Sequence, residues 1–183
     1  MAITPLQESK LRKRFAMLDV DGNGHIERAD YEELSRRLTA GAGVEPASTE
    51  ALALTDSLLN IFDALARKMD GDGDGRVSLD EWTRSVTASL IEKDGFDRVI
   101  GPAARAVVSV YDTDGSGELD VEELRVFITA TGATAVDADE AVRRLDADGS
   151  GSISVEEFTR ALREFYTSAD PEAPGNWIYG RPA

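Results

Sequence analysis

Four twelve-residue segments of this chain superpose without a gap: DVDGNGHIERAD at 19–30, DGDGDGRVSLDE at 70–81, DTDGSGELDVEE at 112–123 and DADGSGSISVEE at 146–157. Each has Asp at positions 1 and 3, an oxygen-bearing side chain at 5, Gly at 6 and an aliphatic residue at 8. Three end in Glu at position 12; the first ends in Asp30. An internal repeat of this kind demands a repeated supersecondary unit. A single acidic, glycine-rich loop is compatible with a solvated turn, but four in frame are not.

The chemistry of the repeat is that of a hard cation. Calcium takes six to eight oxygens, and a twelve-residue loop supplies them from positions 1, 3, 5, 7, 9 and 12. The candidate ligands of the first loop are therefore Asp19, Asp21, Asn23, His25, Glu27 and Asp30, and of the second Asp70, Asp72, Asp74, Arg76, Ser78 and Glu81. In the third they are Asp112, Asp114, Ser116, Glu118, Asp120 and Glu123, and in the fourth Asp146, Asp148, Ser150, Ser152, Ser154 and Glu157. Position 7 offers its backbone carbonyl, which leaves the side chains of His25, Arg76, Glu118 and Ser152 free to vary. Position 9 is also able to act through water. Gly24, Gly75, Gly117 and Gly151 stand at position 6, where the sharp turn needs a positive φ that glycine adopts readily. Aspartate at position 12 is one methylene shorter than glutamate. The tighter shell it implies favours magnesium, which prefers six ligands at ~2.0–2.1 Å. Up to four calcium ions are expected, with a mixed calcium/magnesium site at 19–30.

Helices are expected on both sides of each loop. Apolar residues precede the loops at Phe15/Leu18, Ala66/Met69, Val108/Tyr111 and Val142/Leu145. They follow at Tyr31/Leu34, Trp82/Val86, Leu124/Phe127 and Phe158/Leu162. Spacings of three and four place each set on one helical face. Ser78…Glu81 and Ser154…Glu157 have the spacing of a capping box, so metal shell and helix start share residues. The first helix has its own start in Thr4-Pro5-Leu6-Gln7. Residues 39–50 read as a long connection, followed by a helix across 49–68. Ile26, Val77, Leu119 and Ile153, at position 8, suit a short β-bridge between paired loops.

With these features the chain resembles the EF-hand superfamily from about residue 5 to 166. More narrowly it resembles the four-EF-hand sarcoplasmic calcium-binding proteins and prokaryotic calerythrin. The loops start at 19, 70, 112 and 146, and this uneven spacing, with the tail DPEAPGNWIYG at 170–180, carries the narrower likeness. The resemblance implies an all-α fold with four hands paired in two lobes that pack compactly together. It implies division into a first pair at 1–93, a second at 94–169 and a tail at 170–183. A second loop is often degenerate in such proteins, but DGDGDGRVSLDE is fully equipped. An Asp ending also occurs in their first loops without abolishing binding.

Charge narrows the partners. A net −15 disfavours nucleic acid and anionic membranes. No apolar run approaches the ~18 residues of a membrane span, and the N-terminus has no apolar stretch of a secretory signal, so a cytoplasmic monomer is expected. There is no nucleophile-and-base constellation, so an enzyme is not expected. A buffer or store fits better than a sensor acting on a protein target, because the chain has three Met, one of them the initiator, whereas sensors expose Met-rich grooves. Trp177, Ile178 and Tyr179 are expected to fold back into the interlobe cleft. KLRKR at 10–14 reads as a solvated helix face, and His25 as non-catalytic.

Overall fold

The computed structural model describes residues 3–71, 73–90 and 95–181, apart from the side chains at 69, 87–90, 95–99 and 135–136. Eight α-helices among these residues flank four short strands. The first hand consists of α1 (Pro5–Leu18), β1 (His25–Ile26) and α2 (Arg28–Gly41), the second of α3 (Thr49–Met69), β2 (Val77–Ser78) and α4 (Leu79–Leu90). The third comprises α5 (Gly95–Tyr111), β3 (Glu118–Asp120) and α6 (Val121–Ala130), the fourth α7 (Ala135–Leu145), β4 (Ser152–Ser154) and α8 (Val155–Thr167). The fold is therefore all-α, with four hands in two lobes.

Each lobe is clasped by its loops. β1 and β2 pair antiparallel with Ile26 opposite Val77, and β3 and β4 with Leu119 opposite Ile153. These four position-8 residues are at most 1% exposed, so each bridge inserts its aliphatic pair into the core. The capping expected at Glu81 and Glu157 is present. The same geometry also occurs at Asp30 and Glu123.

The lobes share one core. α3 lies along α5, and α2 packs on α6. The Tyr111 hydroxyl donates across the interface to Leu38 O at 2.8 Å, and Phe127 stacks edge-on against both Tyr111 and Phe158. The connection after the first hand is shorter than 39–50, because α2 continues through Gly41. A Cβ on Gly41 would lie 2.8 Å from that of Ala130, so glycine serves the close α2–α6 approach here instead of starting a loop. The following helix, α3, runs over 49–69, close to the expected 49–68.

The basic segment 10–14 is not a solvated face. Arg12 is exposed and pairs with Glu8, but Lys10 and Arg14 are 1% and 7% exposed. Spaced one helical turn apart, they share the α1 face that meets the end of α8 and the tail. Gln7 Nε2 donates to Thr167 O at 2.8 Å. Lys10 Nζ donates to Ser168 O and Asn176 Oδ1, both at 2.8 Å, and to Glu164 O at 3.3 Å. All three ammonium donors are thereby used, two of them on carbonyls at the negative end of α8. Burial lowers the Lys10 pKa from 10.5 to about 8, against the opposing pull of Glu164.

The tail forms a 3-10 turn (Pro174–Trp177) against α7 and α8. Ile178 is 0% and Tyr179 5% exposed. Tyr179 meets Phe165 edge-on and lies under the Arg14 guanidinium, 4.2 Å from ring centroid to carbon. Gly175 fits because a Cβ there would come within 2.3 Å of Ala161 O.

Candidate metal centre

The four loops are folded by the same internal hydrogen bonds. The position-1 carboxylate accepts from the N–H groups of positions 5 and 6: Asp19 from Asn23 and Gly24, Asp70 from Asp74 and Gly75, Asp112 from Ser116 and Gly117, Asp146 from Ser150 and Gly151, all at 2.8–3.1 Å. The turn this requires puts the position-6 glycines at φ +80° to +87°, a region that side-chain-bearing residues rarely adopt.

At the far end, the position-12 carboxylate spans the N–H groups of positions 2 and 9. Glu81 accepts from Gly71 and Ser78, Glu123 from Thr113 and Asp120, and Glu157 from Ala147 and Ser154, at 2.6–3.2 Å. Asp30 makes the same pair, from Val20 N at 3.0 Å and Glu27 N at 2.7 Å. The shorter residue therefore holds the same two backbone N–H groups as the glutamates. A carboxylate has about four lone-pair sites. Asp30 keeps one on each oxygen, whereas the hydroxyls of Ser78, Thr113 and Ser154 add a second bond to one oxygen of Glu81, Glu123 and Glu157, leaving the other oxygen with a free site for a cation. Backbone and hydroxyl donation from Ser78, with Gly71 N, holds the Glu81 pKa down at about 2. Donation from Ser116 and Ser150 lowers those of Asp114 and Asp148.

The structure brings together Asp19, Asp21 and Asp30; Asp112, Asp114 and Glu123; and Asp146, Asp148 and Glu157. Within each trio one oxygen per residue lies within 4.8 Å of the others. Such all-oxygen, carboxylate-rich clusters match the donor set of calcium or magnesium. In the second loop Asp72 lies outside the described residues, but Asp70, Asp74 and Glu81 hold the loop bonds of the other three.

The remaining candidates sit between these anchors. Asn23 Oδ1 and Asp74 Oδ1 each accept from the position-7 N–H, His25 and Arg76, at 2.8 Å. The Ser116 and Ser150 hydroxyls donate to the carbonyls of Glu118 and Ser152, both at 3.2 Å. The position-7 side chains, free by sequence, reach across each loop pair. Arg76 pairs with Glu27, the position-9 carboxylate of the first loop, at 3.0 Å, and Ser152 donates to Glu118. Sequence spacing could have suggested these partners only once the loop pairing was assumed. At position 9, Asp120 and Ser154 are bound as helix N-caps, and the Ser78 hydroxyl is engaged by Glu81 at 2.7 Å.

Comparison with known proteins agrees with this geometry. The family described as EF-hand domain pair matches residues 8–86 and 103–170. Calerythrin from Saccharopolyspora erythraea is 31% identical over 166 residues, covering 89% of this chain and 93% of that protein. The sarcoplasmic calcium-binding protein of Scylla paramamosain is 25% identical over 172 residues, with coverage of 90% and 89%. A solved Streptomyces coelicolor calcium-binding protein superposes with a TM-score of 0.80 at 31% identity, over 88% of this chain and 98% of its own.

Proposed function

The chain belongs to the EF-hand family and binds calcium through such loops, and from that premise we propose that it is a four-site calcium buffer. The observation that carries this reading is the tail. A sensor must open a groove to a target when calcium binds. Here Ile178 and Tyr179 are already buried against α7, α8 and Arg14, and Lys10 ties Asn176 to the end of α8. In this reading residues 170–183 occupy the place of a target helix between a first pair at 1–93 and a second at 94–169. The boundary between those pairs falls outside the described residues.

All four loops bind, and loop 19–30 accepts magnesium as well as calcium. Its shorter Asp30 makes the two backbone bonds of the glutamates, and Arg76 competes for Glu27, both of which favour a smaller ligand set. Four divalent ions add eight positive charges to a net −15, leaving −7. Their binding therefore relieves carboxylate repulsion and stabilises the native state. The chain acts as a cytoplasmic monomer without catalysis of its own. Among the described residues no helix is long and apolar enough to cross a membrane.

One observation favours a second reading, a calcium sensor. The solved Streptomyces coelicolor protein is described as a calcium-binding protein of prokaryotic calcium-mediated regulation. Dye binding separates the two. For a buffer, a hydrophobic dye binds the full chain no better with calcium than without, and deleting 170–183 raises its binding. A calcium-dependent rise in the full chain identifies a sensor.

A further inference from the structure

Between the lobes lies a cavity of about 110 Å³ whose walls come from both pairs of hands. Its size approaches the ~150 Å³ of an engineered apolar cavity that admits benzene. Leu58, Ile61, Leu65, Ile100 and Val107 give it an apolar body. Its charge is unlike that of the rest of the molecule. The chain carries 35 Asp and Glu against 20 Lys and Arg, yet the described lining holds two cations, Arg14 and Lys68, and no carboxylate.

Arg14 is the second observation. It is 7% exposed, and its Nε and Nη1 have no hydrogen-bond partner. The face of Tyr179 lies against the guanidinium carbon, but a ring face accepts none of the in-plane N–H donors. Buried guanidinium groups in folded proteins are paired, because an unmatched donor forfeits the hydrogen bonds it made in water. The neighbouring lining residues Tyr31, Tyr166 and Tyr179 bring phenol groups but no charge to match it.

We infer that this cavity binds a small amphipathic carboxylate, its oxygens accepting from Arg14 and its apolar body, about one aromatic ring or a short alkyl chain, filling the space between α3 and α5. Such a ligand supplies the missing acceptor and the missing apolar contacts together. A neutral apolar molecule supplies only the second, and an inorganic anion only the first.

The test uses the calcium-loaded full chain and ¹⁹F NMR with 4-fluorobenzoate as probe, 4-fluorobenzyl alcohol as its neutral counterpart, and chloride as competitor. The expected result is saturable binding at one site, with the carboxylate at least about tenfold tighter than the alcohol, as for one charge-assisted hydrogen bond gained. Arg14→Met should abolish that preference, and Ala103→Leu, which fills the cavity wall, should weaken both probes while calcium stoichiometry is kept. Absence of saturable binding by the unaltered protein would overturn the proposal whether or not the variants fold. So would equal affinity for the two probes, or displacement of the probe by chloride at equal concentration.

Discussion

Lys10→Met removes the ammonium that joins α1, α8 and the tail while keeping an unbranched side chain. Three hydrogen bonds are lost, two at 2.8 Å and one at 3.3 Å. Bonds from a charged donor contribute roughly 1.5–3 kcal/mol each. Against them stands the burial of the cation. A pKa lowered from 10.5 to about 8 corresponds to on the order of 3 kcal/mol of disfavour for the charged form. The difference leaves roughly 1.5–6 kcal/mol for the whole junction, of which the one bond that reaches the tail, to Asn176, supplies about 1.5–3 kcal/mol. Since every 1.4 kcal/mol is about tenfold in an equilibrium, the undocked tail should become roughly 10–150 times more populated. The amides of Asn176, Ile178 and Gly180, bonded within the tail to Ala173 O, Gly175 O and Trp177 O, report that opening directly. Hydrogen exchange of the calcium-loaded protein should accelerate at these three by that factor, with the amides of α6 unchanged. Unaltered exchange across 174–180 would refute the argument, because it would mean that packing alone holds the tail.

Three further outcomes follow from the same geometry. Gly175→Val drives a branched side chain into Ala161 O, so it should cost about 1–3 kcal/mol, as overpacking does, and lower Tm by roughly 2–4 °C per kcal/mol in a chain of this size; an unchanged melting curve would disprove the close fit. Asp30→Glu should cut magnesium antagonism at the first loop by about tenfold in competition titrations, since the longer carboxylate favours the larger calcium shell. Lys10 also sets a pH dependence. Its folded pKa, about 8, lies below the unfolded value of 10.5, so between these values the unfolded chain binds more protons and stability rises with pH. Denaturant titrations at pH 8 and pH 10 should show a gain in the parent that Lys10→Met reduces.

The loops were legible because almost every position answers to the cation or to the turn that holds it. Aspartates at 1 and 3, glycine at 6 and the aliphatic at 8 serve local requirements that recur four times. Capping at Asp30 and Glu123 was less visible, because Glu27 and Asp120 stand where serine marks the other two boxes. What escaped the sequence was tertiary. Lys10 and Arg14 stand in a basic run that a solvated helix could equally carry, and only the approach of α8 and the tail makes them interior. Gly41 reads as a loop signal until Ala130 is seen against it. The cavity belongs to no segment, since its walls come from both lobes.

The central claim is that four loops, the aspartate-ended one included, bind calcium for storage. Calorimetric titration of the metal-free protein with calcium, repeated in excess magnesium, tests it most directly. The account predicts four sites, the tight ones near ~10⁻⁹–10⁻⁸ M and weakened by magnesium, as in cytosolic buffers. Three sites at roughly 10⁻⁷–10⁻⁵ M, indifferent to magnesium, would contradict it and identify a sensor whose first loop is scaffolding.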